Sequence, residues 1–156
     1  MDLDMQVNID VKDKKYDGTL RNIVQINAGD LMNEFCEHPS KYAWFGALSE
    51  ICSSEVETKE FALDVLRANL DEEKRMKFKE ENVKVTETVI QSAIITDKRY
   101  KVIMEELIEL KKQYGILKSI VKALEHRKDM LIQLGSTKRQ EEMLGDFNLK
   151  KIRDHN

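Results

Sequence analysis

Proline is almost absent. Pro39 is the single one in 156 residues, so most of the chain can propagate helix without a ring clashing against the preceding turn. The six glycines are scattered, which leaves no glycine-rich loop to cradle a phosphate. Cys36 and Cys52 lack metal-ligand spacing, and His38, His126 and His155 stand alone; no zinc-type cluster is expected. No G-x-S-x-G element occurs, and neither cysteine pairs with a candidate catalytic histidine. No run of 18 or more apolar residues exists, which excludes a spanning helix. The N-terminal MDLDMQVNID is acidic and has neither the basic nor the apolar block of a signal peptide. These absences predict a soluble protein of a reducing, cytoplasmic setting, with no cofactor and no enzymatic chemistry.

What is present is charge and leucine at helical spacing. Asp, Glu, Lys and Arg make up 35% of the chain and aromatics only 6%, a mix typical of long helices and coiled coils. Tyr100, Ile103, Leu107, Leu110, Tyr114, Leu117, Val121, Leu124, Lys128 and Leu131 alternate in steps of three and four. They fall on one narrow stripe, interrupted once by Lys128, and a stripe that narrow wants a partner helix. Phe45, Ser49, Cys52, Val56, Lys59, Leu63, Leu66 and Leu70 repeat the same rhythm and supply it.

The fold class that follows is all-α. A long antiparallel helical hairpin carries a short connecting helix, a small N-terminal strand or arm, and a short C-terminal helix. Residues 1–29 form the arm, 30–135 the hairpin core, and 136–156 a C-terminal oligomerisation segment or tail. In the arm, Val7, Ile9 and Val11 alternate with polar residues and Asp17-Gly18 offers a turn; a strand hairpin and a loose arm ordered by another subunit both fit. Asp30 caps a short helix that stops near His38, and Pro39 opens the first long one. The pattern lapses around Lys79–Asn82, Thr86 caps the connecting helix, and Asp97 caps the second long helix, with Gly135 as its stop. Each long helix would run about 38 residues, or roughly 57 Å. Ile90, Ile94, Ile95, Val102, Met104, Ile120 and Ile132 lie off the main seam. They need cover, which predicts a homo-oligomer.

Charge is unevenly distributed. Residues 1–97 hold 12 Lys/Arg against 20 Asp/Glu, whereas residues 98–139 hold 11 against 5. Such separation suits steering of an anionic partner such as nucleic acid, and it suits attraction between opposite-signed helices of neighbouring subunits equally well. On the second long helix the candidate phosphate contacts are Lys98, Arg99, Lys101, Lys111, Lys112, Arg127 and Lys128. Lys118 and Lys122 are spaced i, i+4 on one face. Successive cations can release counterions from a phosphate backbone, and an aromatic ring can stack an unpaired base. Tyr100 and Tyr114 sit on the seam, which favours a core role for them.

The order of several short segments resembles the UvsY-type recombination mediators of tailed phages. They are P-x-x-Y-A at Pro39–Ala43, L-R-A-N-L-D at Leu66–Asp71, K-V-T-E at Lys84–Glu87, D-K-R-Y at Asp97–Tyr100 and L-E-H-R-K-D-M-L at Leu124–Leu131. The likeness covers about three-fifths of the chain. It implies a ring-forming homo-oligomer that binds single-stranded DNA, loosens the single-strand-binding protein and helps load a recombinase, without catalysis. It also implies a phage protein working in the host-cell cytoplasm. Family members carry a basic-x-basic pair in the segment matched by Leu66–Asp71. Arg67 takes its first position and Asn69 replaces the second; Lys74, Arg75 and Lys77 follow closely, with Lys84 in the next segment. Two other classes of function fit the same features. One is a coiled-coil scaffold or holder with no nucleic-acid activity. The other is a regulator that inserts a hairpin tip near Asp71–Glu81 into a larger machine.

Overall fold

A computed structural model describes residues 4–153, with side chains through residue 145. The chain is mostly helical, at 81%. Strands β1 (Gln6–Val11) and β2 (Lys14–Thr19) form a two-stranded antiparallel sheet. Helix α1 (Leu20–Val24) and a 3-10 turn (Ala28–Asp30) lead into α2 (Leu31–Glu80). Helix α3 (Glu87–Ile95) connects α2 to α4 (Lys98–Arg153).

Alternation of apolar and polar residues in β1 puts Val7, Ile9 and Val11 on one face, and all three are buried against α2 and α4 of the same chain. The segment is therefore a hairpin docked on its own helices, not an arm awaiting another subunit. Its turn lies at Lys12–Asp13, where Lys12 has φ 55°, and not at Asp17-Gly18. Gly18 instead pairs with Val7 inside the ladder. A Cβ there would come within 2.7 Å of the Tyr16 hydroxyl, so the glycine gives the Tyr16 ring its space.

The two seams meet as the heptads predict. Phe45, Ser49, Cys52, Val56, Leu63 and Leu70 of α2 are buried, as are Leu107, Leu117, Leu124 and Leu131 of α4. Ion pairs join late α4 to early α2 and early α4 to late α2 (Arg127 to Glu34, Lys111 to Glu60, Arg99 to Glu73), which makes the hairpin antiparallel. Each fully buried Leu or Ile contributes about 1.5–3 kcal/mol. Around Leu70, helix α3 adds Ile90 and Ile94, and the β-hairpin covers Ile120, so part of the off-seam set finds its cover within the chain. Val102, Ile95 and Ile132 stay exposed.

The helices are longer than the sequence suggested. Pro39 lies inside α2, and residues 31–80 form one helix of 50 residues. Its first turns are tied down despite the proline: Leu31 and His38 are buried, Asp30 accepts from the Asn33 N–H at 3.4 Å, and Glu34 accepts from the Asn27 N–H at 2.8 Å. Gly135 does not stop α4, which continues to Arg153. No glycine among the described residues has a positive φ. Gly135 serves close approach instead, since a Cβ would stand 2.8 Å from Phe35 Cζ. The separate C-terminal helix expected after Ser136 is thus the end of α4; the side chains of Phe147, Leu149 and Ile152 fall outside the described residues.

Candidate nucleic-acid interface

Helix α3 and the starts and ends of its neighbours build the connector end of the hairpin. Asp97 organises it. Its carboxylate accepts from the Arg99 N–H at 3.0 Å and from Lys74 Nζ at 2.9 Å, and the Arg99 guanidinium closes on it at 3.1 Å. Arg99 first, then Lys74, holds the Asp97 carboxyl well below the usual carboxylate range. Arg99 also reaches Glu73 at 2.9 Å. Arg75 lies between Asp71 and Glu87, each at 2.6 Å, and is itself held more firmly protonated by Asp71 and then Glu87. Arg75 and the Gln91 amide keep Glu87 low.

Most of the sequence-derived cations are therefore already engaged. Lys74, Arg75 and Arg99 belong to this network. Lys111 pairs with Glu60 at 2.6 Å, Lys112 with Glu109 at 3.1 Å, and Lys128 with Asp129 at 3.6 Å. Lys77 stands 4.0 Å from Glu81. Arg67 is exposed and donates to the Gln91 side-chain oxygen at 2.8 Å, a neutral partner. Lys84, Lys98 and Lys101 are exposed, and no carboxylate among the described residues pairs with them. Along the line where α2 meets α4, Arg99, Lys111 and Arg127 of the basic segment pair with Glu73, Glu60 and Glu34 of the acidic one.

Arg127 leaves the surface set altogether. It is 4% exposed, and its guanidinium is bonded to Glu34, to His38 Nδ1 at 3.0 Å and to the Gln25 carbonyl at 3.1 Å. Its Nε has no partner within the described residues. Burial disfavours the charged form of Glu34, yet the Asn27 N–H and Arg127 outweigh it, and the carboxyl lies below its ordinary value. Burial first, and then Arg127, pushes the His38 imidazole down. This neutral ring accepts the Arg127 proton, so its own proton sits on Nε2. A buried cation so enclosed cannot meet a phosphate.

Tyr114 is half-buried at the seam beneath Lys118, whose Nζ lies 5.4 Å from the ring centroid; Tyr100 packs beside Leu70, Ile90 and Ile94. Both rings are part of the core, as their seam positions predicted. No group of three or more His, Cys, Asp or Glu side chains among the described residues is placed to hold a metal ion. No helix among them is long and apolar enough to cross a membrane. No family model, curated protein or solved structure matches the chain.

Proposed function

We propose that this protein binds single-stranded DNA as an assembly of copies and acts as a recombination mediator, by binding and remodelling rather than by catalysis. The observation that carries the reading is a charge placement that folding disfavours. Helix α4 begins Lys98-Arg99-Tyr100-Lys101 and has no acidic residue in its first turn. Cations there oppose the positive end of the helix dipole. Asp97 offsets Arg99, while Lys98 and Lys101 stay unpaired. Lys84 precedes Val85, which packs in the same cluster as Tyr100, and so adds a third free cation at this end.

Three lysines per copy make a weak site alone. Repeated around an assembly they add through multivalency, and a strand passing over successive copies would be held extended for a recombinase. The order of short motifs shared with UvsY-type mediators supports the same reading, including a single-strand-binding protein and a recombinase as partners in the host cytoplasm. A second reading, a coiled-coil scaffold indifferent to nucleic acid, draws on the pairing of Lys74, Arg75, Arg99, Lys111 and Lys112 within the chain.

Fluorescence anisotropy of a labelled single-stranded oligonucleotide, titrated at several salt concentrations, separates them. The mediator reading predicts sequence-indifferent binding that weakens steeply with salt. Replacing Lys84, Lys98 and Lys101 together by alanine should lower the slope of log K against log salt by about 2, since each single-strand phosphate contact contributes about 0.7. Arg67→Ala should lower it by about 0.7 on the same rule. No binding at low salt leaves the scaffold as the better account.

A further inference from the structure

The connector end offers free cations but no free ring, because Tyr100 packs there beside Leu70, Ile90 and Ile94. A cluster of three rings lies toward the other end of the molecule, where Tyr16 of β2 meets Trp44 and Phe45 of α2. Cys36, Ser40, Lys41 and Trp44 fall on one face of α2 by helical spacing. Together with Tyr16 and Phe45 they line an open cavity of about 510 Å³.

Three features of this cavity suit one kind of occupant. First, Trp44, the single tryptophan of the chain, is 40% exposed, although so large an apolar ring is mostly buried in folded proteins. Second, the ring is held before anything binds. Phe45, itself buried, stands perpendicular to it with centroids 4.8 Å apart, and Tyr16 lies 6.1 Å away. A ring fixed in this way loses little side-chain freedom when another ring stacks on it. Ser40 and Cys36, one and two turns earlier, are small and leave space beside it. Third, Lys41 lines the cavity and forms no ion pair among the described residues, while Glu37 also lines it. The carboxylate keeps a bare phosphate from settling among the rings, and the lysine offers a partner to one at their margin.

We propose that Trp44, braced by Tyr16 and Phe45, stacks an unpaired nucleobase of a single strand while Lys41 takes an adjoining phosphate. A base brings an uncharged π face to the rings and leaves its backbone charge outside them, which matches that division of the cavity. An apolar protein side chain would use the rings but give Lys41 no role. Every base has such a face, so the contact is indifferent to sequence. Along α2, Trp44 is roughly 39 Å from Leu70 at 1.5 Å per residue, so a strand touching both this ring and the connector lysines of one copy is extended. The inference rests on the DNA-binding part of the function proposed above and adds a base contact to its phosphate contacts.

Tryptophan emission of the full chain, titrated with a single-stranded oligonucleotide, reads Trp44 alone. Emission should fall as the strand binds, in step with anisotropy measured in parallel. Trp44→Ala should weaken binding about tenfold at unchanged sedimentation mass. The factor should be the same at every salt concentration, because stacking releases no counterions. Lys41→Ala should instead lower the salt slope by about 0.7, and Trp44→Phe, which keeps a ring, should retain most of the affinity. An oligonucleotide of the same length built of abasic sites keeps every phosphate. The unaltered protein should bind it more weakly than the intact strand and without loss of emission, a comparison that stands even where a variant fails to fold. Binding of the intact strand with unchanged emission overturns the inference and leaves the mediator reading in place, as does equal quenching by the abasic strand. Trp44→Ala with unaltered affinity and a lower sedimentation mass assigns the cavity to a contact between copies instead. No binding at low salt overturns both readings.

Discussion

The hairpin carries two ionic clusters, one at each end, and they do different work. At the open end Arg127 is buried with Glu34, His38 and the Gln25 carbonyl. At the connector end Arg75 and Arg99 share four carboxylates, and both guanidinium groups face solvent, with Arg75 48% and Arg99 54% exposed at the side chain. A buried guanidinium must keep every partner, because losing one strands charge in a poor dielectric. A solvated one can exchange carboxylate for water, or for a phosphate, at small cost. Buried polar groups also select register. A heptad seam tolerates a slip of seven residues, but a slipped hairpin would carry Arg127 away from Glu34 and His38. The open end thus fixes the alignment of α2 on α4, and the connector end holds cations in exchangeable pairs.

Removing the two arginines in turn breaks the comparison most directly. Arg127→Met should destabilise the protein by about 3–5 kcal/mol, the range for deleting one partner of a buried ion pair. Urea denaturation followed by circular dichroism reads this as a lower midpoint. Arg99→Met should leave the midpoint where it was. Equal losses from the two substitutions would mean that the ends do not differ in the way their burial implies.

The misplacement of Arg127 shows what a heptad pattern can and cannot reveal. From Leu124 the seam reaches Leu131 in seven residues, and either a step of three through Arg127 or a step of four through Lys128 is allowed. The alternating pattern led through Lys128, which is 58% exposed; the helix buries Arg127. Only the partners decide between them. Glu34 and His38 lie 93 and 89 residues away, so no local pattern carries the answer. The two long helices, the connecting helix that begins after Thr86 and the strand pattern of Val7, Ile9 and Val11 were legible because each rests on local periodicity. Pro39 and Gly135 misled for the opposite reason. Both carry strong local meaning as helix boundaries, and tertiary contacts at Leu31, His38 and Phe35 overrode it. Among the candidate contacts, spacing located the cations but could not show which carboxylates they face.

A milder perturbation of the open end is acid. His38 is held below its usual 6.5 by burial and by Arg127, so its neutral form is the one the fold favours. A group with a depressed folded pKa stabilises above its unfolded pKa, and that contribution fades as pH falls through the folded value. Protonation would also turn the Nδ1 acceptor into a donor facing the Arg127 N–H. The melting temperature should therefore fall as pH drops from 7 toward 5, before Glu34, which lies below its own usual 4.5, begins to titrate. His38→Asn keeps an acceptor without a titrating proton and should flatten this interval. An unflattened profile would place the acid sensitivity elsewhere.

The smallest effect, and the one that sharpens the connector side, comes from removing carboxylates rather than cations. Glu73 engages Arg99, and Glu87 engages Arg75. Both are surface pairs, so Glu73→Gln with Glu87→Gln should scarcely move the unfolding midpoint. It leaves Arg75 with Asp71 and Arg99 with Asp97, and under the mediator reading it opens one side of each guanidinium, beside Lys98 and Lys101, to phosphate. Oligonucleotide affinity should rise at low salt, and the salt slope should steepen by up to about 1.4, two contacts at about 0.7 each. The gain should vanish near 1 M salt, where the screening length is about 3 Å. If the double substitution leaves both affinity and slope unchanged, the connector cations face away from any strand and their pairing with carboxylates is structural. A steeper slope with unchanged stability would instead show that the ion pairs of this end restrain a binding surface, which the buried cluster at the other end cannot do.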